Sequence, residues 1–513
     1  PAGLLGMDFT THDGDPIVQT LSEPYFARSW WPCKDVPDDK AEVTLTCFVP
    51  TGMYVASNGQ LLNVAWTPSG SYFVYQSTYP ISTYLVSITA TNYQGWDEPY
   101  VSPAGQEMTL EYRVFPEDVA DAQVDFERTT EMLDLFSNTF GEYPFIREKF
   151  GMAEFVWEGA MEHQTMVSYG DFLITGDKFY ERLVAHELSH HWWGNLMTLT
   201  DWDEIWLHEG FATYCEALWT EHLDGKQAYQ DFMWDRSLNM VGFAGPIIPP
   251  YNLFGNTTYK KGAWLLHMLR GYLGDADFFQ ALRDYAGLSS SQYGNVTTED
   301  FIESVEQTTG QELNWFLDQW LYVAGRPTYE YNWTSEPENG QHKVTLRIHQ
   351  AQSHQLYSMP LDVRIQTASG PVDSEVFVTD STHWVTYYLD EAPTSVTLDP
   401  DLWVLKWTQE LADVTPAPFV AGETRLLPAH PNPFNPTTLL RFELGEAADV
   451  RLRIYDDRGR QVRVLEPGLL PVGPHRVPWN ARDGRGAPLA SGVYRVLLEA
   501  GAQWQAQSVT LIK

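Results

Sequence analysis

The feature that most constrains this chain is the run His186-Glu187-Leu188-Ser189-His190. Two imidazoles four positions apart share one face of an α-helix, so both can reach a single metal ion while Glu187 lies beside it over the bound water. A helix whose histidines merely cap or pair would look the same over five residues. Context separates the two readings. Eighteen residues lie between His190 and Glu209, which sits in a second helical stretch, WLHEGFATYCEALW, able to supply a carboxylate. Two His and one Glu, with water in the fourth position, make a catalytic rather than a structural zinc site, holding one ion. Seven residues on, Glu216 returns to the same helix face. It reads equally as a hydrogen-bond partner for a ligand His or as an ordinary solvated helix charge.

The scaffold is large. At ~100 to 200 residues per domain, 513 residues predict three or four domains. With 43% hydrophobic and only 19% charged residues, disorder is excluded as the main description. The balance of 32 basic against 68 acidic residues argues against nucleic acid as a partner, because phosphate binding rests on clustered Lys and Arg. Cys33, Cys47 and Cys215 cannot build a disulfide framework and read as small apolar core residues. No apolar run approaches the ~18 residues of a membrane span. The opening PAGLLGMDFT has neither an initiator Met nor a signal pattern, so the true N-terminus, with any export signal, is expected to lie before Pro1.

Periodicity divides the chain. Residues 1–110 alternate in short runs such as AEVTLTCFVP and predict a β-sheet domain. Residues 111–326 turn mainly helical, with a strand-like KFGMAEFVW followed by helical stretches around 178–193, 208–223 and 259–272. Residues 327–412 alternate again and predict a β-sandwich. The Pro-rich 413–425 reads as a linker, and 426–513 as a second, all-β module. From 420 onward the net charge is +3, leaving −39 on the rest. The fold class expected is therefore multidomain α+β.

Glu158-Gly159-Ala160-Met161-Glu162, HELSHHWWGN, WLHEGFATY and Tyr259-Lys260-Lys261-Gly262 stand in one order and spacing. Together they resemble the zinc aminopeptidases of the alanyl aminopeptidase (aminopeptidase N) and leukotriene hydrolase family, over roughly residues 15–330. QTLSEPYFARSWWPCKDVPDDKA and VASNGQL resemble that family's N-terminal β domain, and FGEYPF the entry to its thermolysin-like catalytic domain. The resemblance implies zinc held by His186, His190 and Glu209, with Glu187 as general base. It implies a Tyr259 hydroxyl that supports the oxyanion, and Glu23 and Glu162 as anchors of the substrate's α-amino group. Gly159, Ala160 and Met161 would flank the substrate backbone, and an extended peptide is expected to pair with the edge of the AEFVW segment.

Two departures stand out. His163 replaces the family's usual Asn, and the large helical C-terminal domain that encloses the cleft in many relatives has no counterpart here, so a more open cleft is expected. The tail, with HPNPFNPTT and WNARDGRGAPLASGVYRVLLEAG, resembles type IX secretion sorting domains and the immunoglobulin-like part of flagellar hook-capping proteins. It implies a bacterial protein that is secreted or retained at the cell surface, with contact to secretion machinery; a passive accessory sandwich is the plainer reading. The function expected is hydrolysis of the N-terminal bond of peptides. A zinc endopeptidase with an open cleft is the alternative. A non-catalytic peptide-binding scaffold ranks last, because no ligand or base is lost.

Overall fold

Asp13 and Gly14, both at positive φ (49° and 97°), close a two-residue hairpin between strands Gly6–His12 and Asp15–Leu21. Asp-Gly is a favoured pair for such a turn, because both central residues must turn left-handed. The computed structural model describes residues 6–238, 245–288, 291–411, 424–430, 432, 434–456, 460–501 and 503–511. The hairpin belongs to a four-stranded sheet completed by Ile88–Thr91 and Tyr54–Ser57. A three-stranded sheet of Ala41–Pro50, Gly70–Ile81 and Gln60–Thr67 lies beside it. Between them Val55, Phe73 and Tyr75 are buried.

The next sheet runs Ala160–Met161, Val167–Gly170, Lys149–Phe155, Glu107–Val114, Gln94–Val101. The expected boundary at 110/111 falls inside its Glu107–Val114 strand. That strand pairs in parallel with Lys149–Phe155, so the hairpin 94–114 belongs to the sheet beneath the helices. Lys149–Phe155 is buried along its whole length and has a neighbour on each side. It therefore cannot accept a further strand, and the expectation that substrate pairs with AEFVW is corrected: the edge strands are Ala160–Met161 and Gln94–Val101, and Ala160–Met161 is the one that leads into Glu162.

The helices are α1 (Val119–Asp125), α2 (Thr129–Phe140), α3 (Glu181–Ser189), α4 (Trp206–Leu238), α5 (Gly262–Leu273), α6 (Asp275–Ala286), α7 (Thr298–Thr309) and α8 (Asn314–Leu321). The stop expected near 223 coincides with Gly225, where φ 83° and ψ 179° interrupt α4 before it resumes. A π-turn, Thr257–Lys261, leads into α5. Beyond α8 come a four-stranded sheet (Thr382–Leu389, Gln341–Gln350, Thr328–Glu338, Trp407–Glu410) and a three-stranded one (Gly370–Val378, Met359–Thr367, Ser395–Leu398). One hydrophobic core runs from Leu110 and Phe150 through Trp192, Trp206 and Trp264 to Leu346 and Leu361. The sandwich thus shares its interior with the helical region, and the chain to Leu411 forms one compact unit.

The second unit contains a three-stranded sheet (Arg425–His430, Thr438–Leu444, Gly473–Trp479) and a four-stranded one (Gln461–Leu470, Ala448–Tyr455, Gly492–Ala500, Gln503–Leu511). Its own core includes Phe442, Leu452, Trp479 and Val496. Most of the predicted linker, and Lys513, lie outside the described residues. The architecture is the multidomain α+β arrangement expected. Cys215 is buried, whereas Cys33 and Cys47, expected in the core, are half-buried; all three are unpaired. Among the described residues no helix is long and apolar enough to cross a membrane.

Candidate metal centre and amine-facing cleft

Helix α3 places His186 and His190 one turn apart, with ring centroids 4.8 Å from each other. Glu209, in the first turn of α4, meets both. Its Oε2 lies 3.2 Å from His186 Nε2 and 3.5 Å from His190 Nε2. Metal bonds of ~2.0–2.1 Å in a tetrahedron set donor atoms about 3.3 Å apart, so this triad is spaced as a ligand set. The other ring nitrogens are occupied: His186 Nδ1 bonds Glu216 Oε1 at 3.1 Å and His190 Nδ1 bonds the Trp193 carbonyl at 3.0 Å. Those outer partners hold the Nε2 lone pairs toward the triad's centre. Glu216 is itself held by Arg236 at 2.8 Å, so of its two readings the geometry favours the partner over the solvated charge.

Glu187 reaches the same space. Glu162, Glu187 and His190 bring ligand atoms within 4.8 Å of one another. Glu187 Oε2 and Glu23 Oε1 are buried with no hydrogen-bond partner. Burial raises Glu187 to about 8 against the pull of His186 and His190. Glu23 and Glu162 are also raised, first by burial and, for Glu23, then by repulsion from Glu162, Glu209 and Glu187. For Glu209 burial acts upward too, but the hydrogen bonds from His186 and His190 prevail and hold it well below the usual carboxylate range. Four acids facing one another in a desolvated space form a site relieved by cations.

Each acid has a different structural origin. Glu23 follows strand Asp15–Leu21 of the N-terminal sheet. Glu162 follows the edge strand Ala160–Met161, and its backbone carbonyl accepts from Asn195 Nδ2 at 2.8 Å. Gly159, just before that edge, faces the Trp157 ring, where a Cβ would stand 2.7 Å from a ring carbon. Tyr259 comes from the π-turn, a distortion often found at functional positions. Its ring stacks on His186 at 6.1 Å between centroids, and burial first, then Glu209, Glu23 and Glu162, push its hydroxyl well above its ordinary value. What brings this turn so near is a glycine contact between helices: a Cβ on Gly262 would lie 2.9 Å from the Gly210 Cα.

Of the residues singled out in the sequence, His186, Glu187, His190, Glu209, Glu216, Tyr259, Glu23 and Glu162 meet here, from α3 and its C-cap, α4, the π-turn and two loops, while Gly159, Ala160 and Met161 form the edge that leads into Glu162. His163 is fully buried and bonds Ser168 Oγ at 2.8 Å through Nδ1. Burial drives its pKa down to about 3, so it stays neutral and serves the sheet. Sequence reasoning missed Asn195 and Tyr84, whose hydroxyl donates to Glu162 Oε1 at 3.4 Å. Neither carries a charge or a metal-ligand spacing that would have marked it.

Residues 2–85 match the Peptidase M1 N-terminal domain and residues 124–320 the Peptidase family M1 domain. Carrying both in order, the chain belongs to peptidase family M1. Residues 432–503 match the FlgD Ig-like domain. Among curated proteins it is 28% identical to Aminopeptidase 2, mitochondrial, of Saccharomyces cerevisiae over 66% of this chain and 37% of that protein. It is 28% identical to Probable aminopeptidase 1 of Saccharolobus solfataricus over 64% of this chain and 44% of that one. The chain thus spans about two fifths of the length of these relatives. The solved structure of Legionella pneumophila aminopeptidase A in complex with aspartic acid matches its fold with a TM-score of 0.71 at 22% identity, over 80% of this chain and 49% of that one.

Proposed function

We propose that the protein is a zinc-dependent aminopeptidase, hydrolysing the first peptide bond of peptides with a free α-amino group. The observation that carries this reading is the pairing of a His186–His190–Glu209 triad with one buried, unpartnered carboxylate oxygen on each of Glu23 and Glu187. The donor set fits zinc: two imidazoles and one carboxylate, each imidazole fixed by an outer hydrogen bond. A zinc ion held there would lower the pKa of water from 15.7 to ~7 and polarise the scissile carbonyl.

The chain's own groups perform the rest. Glu187 takes a proton from the attacking water and later gives it to the leaving amine, acting first as base and then as acid. The Tyr259 hydroxyl donates to the carbonyl oxygen as negative charge develops there; one such donor is typically worth ~10²–10³ in rate. Glu162 and Glu23 accept the substrate ammonium, which relieves their mutual repulsion and sets the first peptide bond beside Glu187. The edge strand Ala160–Met161 offers backbone groups to the extended peptide. An N-blocked peptide would leave both acids in the cleft without the ammonium that offsets their charge.

The test compares an aminoacyl-coumarin with its N-acetylated twin, each with and without chelator. Chelator-sensitive turnover of the free amine alone is expected. Equal turnover of both points to an endopeptidase, and none with either, alongside no bound zinc, to a scaffold. We further propose that the protein is exported from a bacterial cell, a reading supported by the FlgD Ig-like match of its tail; tail-deleted protein retained inside an expressing host that exports the full chain is the expected result.

A further inference from the structure

We infer that Tyr84, from the N-terminal β domain, is a positioning residue for recognition of the substrate's free amino group: its hydroxyl holds Glu162 in the orientation that receives the ammonium. This rests on the aminopeptidase reading and assigns a role to a residue outside the helices that carry the metal triad. Tyr84 is 1% exposed and Glu162 2%. Among the described residues the Tyr84 hydroxyl is the side-chain donor that reaches the Glu162 carboxylate. A phenol facing a carboxylate can only donate to it. Unlike Lys or Arg, it does so without cancelling the negative charge that must attract the ammonium. Glu162 needs such a restraint, because Glu23, Glu187 and Glu209 surround it with like charge.

Tyr84 is itself held in place. It sits in the 3₁₀ turn Thr83–Leu85, where Ser82 Oγ donates to the Pro37 carbonyl at 2.8 Å and Thr83 Oγ1 to that of Val36 at 2.9 Å. Its ring meets Trp202 edge-on with centroids 5.1 Å apart. Asn58, buried in the VASNGQL segment, ties the two partners' chains together. Its Nδ2 donates to the Leu85 carbonyl at 3.0 Å and to the Gln164 carbonyl at 2.7 Å, while Oδ1 accepts from Ser87 N at 2.7 Å. One carboxamide thus staples the segment bearing Tyr84 to the segment bearing Glu162.

The experiment measures inhibition of wild type and Tyr84→Phe by leucine hydroxamate and by its des-amino analogue, 4-methylpentanohydroxamate. Loss of one hydrogen bond to a charged group predicts that the variant binds the amine-bearing inhibitor about tenfold more weakly, with the analogue's inhibition constant within twofold of wild type. A variant that keeps the full wild-type preference for the amine, or that loses affinity equally for both compounds, overturns the role of Tyr84 alone. A wild type that binds the two compounds equally overturns the aminopeptidase reading and this inference with it.

Discussion

Replacing Glu162 by Ala removes one of the two acids proposed to hold the substrate ammonium and leaves the metal triad in place. Glu162 is almost fully buried and its backbone, not its side chain, bonds Asn195, so the edge strand keeps its anchor. Truncating one partner of a buried, hydrogen-bonded charge pair costs about 2–5 kcal/mol. Because Glu23 still faces the ammonium, the lower part of that range applies, and about 2–4 kcal/mol corresponds to a loss of about 30- to 1000-fold in kcat/KM. The variant should fold at least as well as wild type, since one member of a mutually repelling set of carboxylates is gone. The assay pairs kcat/KM on an aminoacyl-coumarin with zinc stoichiometry by elemental analysis. Zinc lost in parallel with activity would place Glu162 among the groups that hold the ion and defeat its assignment to the amine.

Other perturbations test other parts. Glu216→Ala releases His186 Nδ1 and should weaken zinc affinity about 10- to 100-fold, read by competition with a chromophoric chelator, with activity recovering at high zinc. Gly262→Ala forces a methyl group against the Gly210 backbone at 2.9 Å; overpacking of this kind costs about 1–3 kcal/mol, and a lowered thermal midpoint together with a displaced Tyr259, hence lower kcat, is expected. Glu154 is raised to about 10 by burial, with Asp118 and Asp171 adding to the effect. The native state therefore keeps a proton that the unfolded chain releases near 4.5, and stability should fall as pH rises between those two values. Glu154→Gln, scanned by thermal unfolding from pH 6 to 9, should be flatter with pH than wild type and more stable at the alkaline end. An unchanged slope would show that this carboxyl is already ionised in the native protein.

The metal triad was legible because helical spacing alone puts His186, His190 and Glu187 on one turn, and a carboxylate in the next helical stretch completes a known donor set. The acids proposed to face the amine were legible only through family likeness: Glu23 stands in a loop whose pattern says nothing of where it folds. Alternation marks a strand as half-buried without naming its sheet, which is why the hairpin 94–114 and the sandwich after 327 looked like parts of separate domains. The same limit put the substrate at the AEFVW strand, whose unbroken burial in fact marks a central strand. Tyr84 acts through one hydroxyl and Asn58 through one carboxamide, on segments some 80 and 100 residues from Glu162, and no local periodicity encodes such a meeting.

Glu23 and the triad arise from pieces of chain with different origins, the one from a β-hairpin sheet and the other from a helical layer. Drift in the N-terminal sheet can therefore remove one of the two proposed grips on a peptide's beginning while the donors of the triad, and Glu162 beside them, stay as they are.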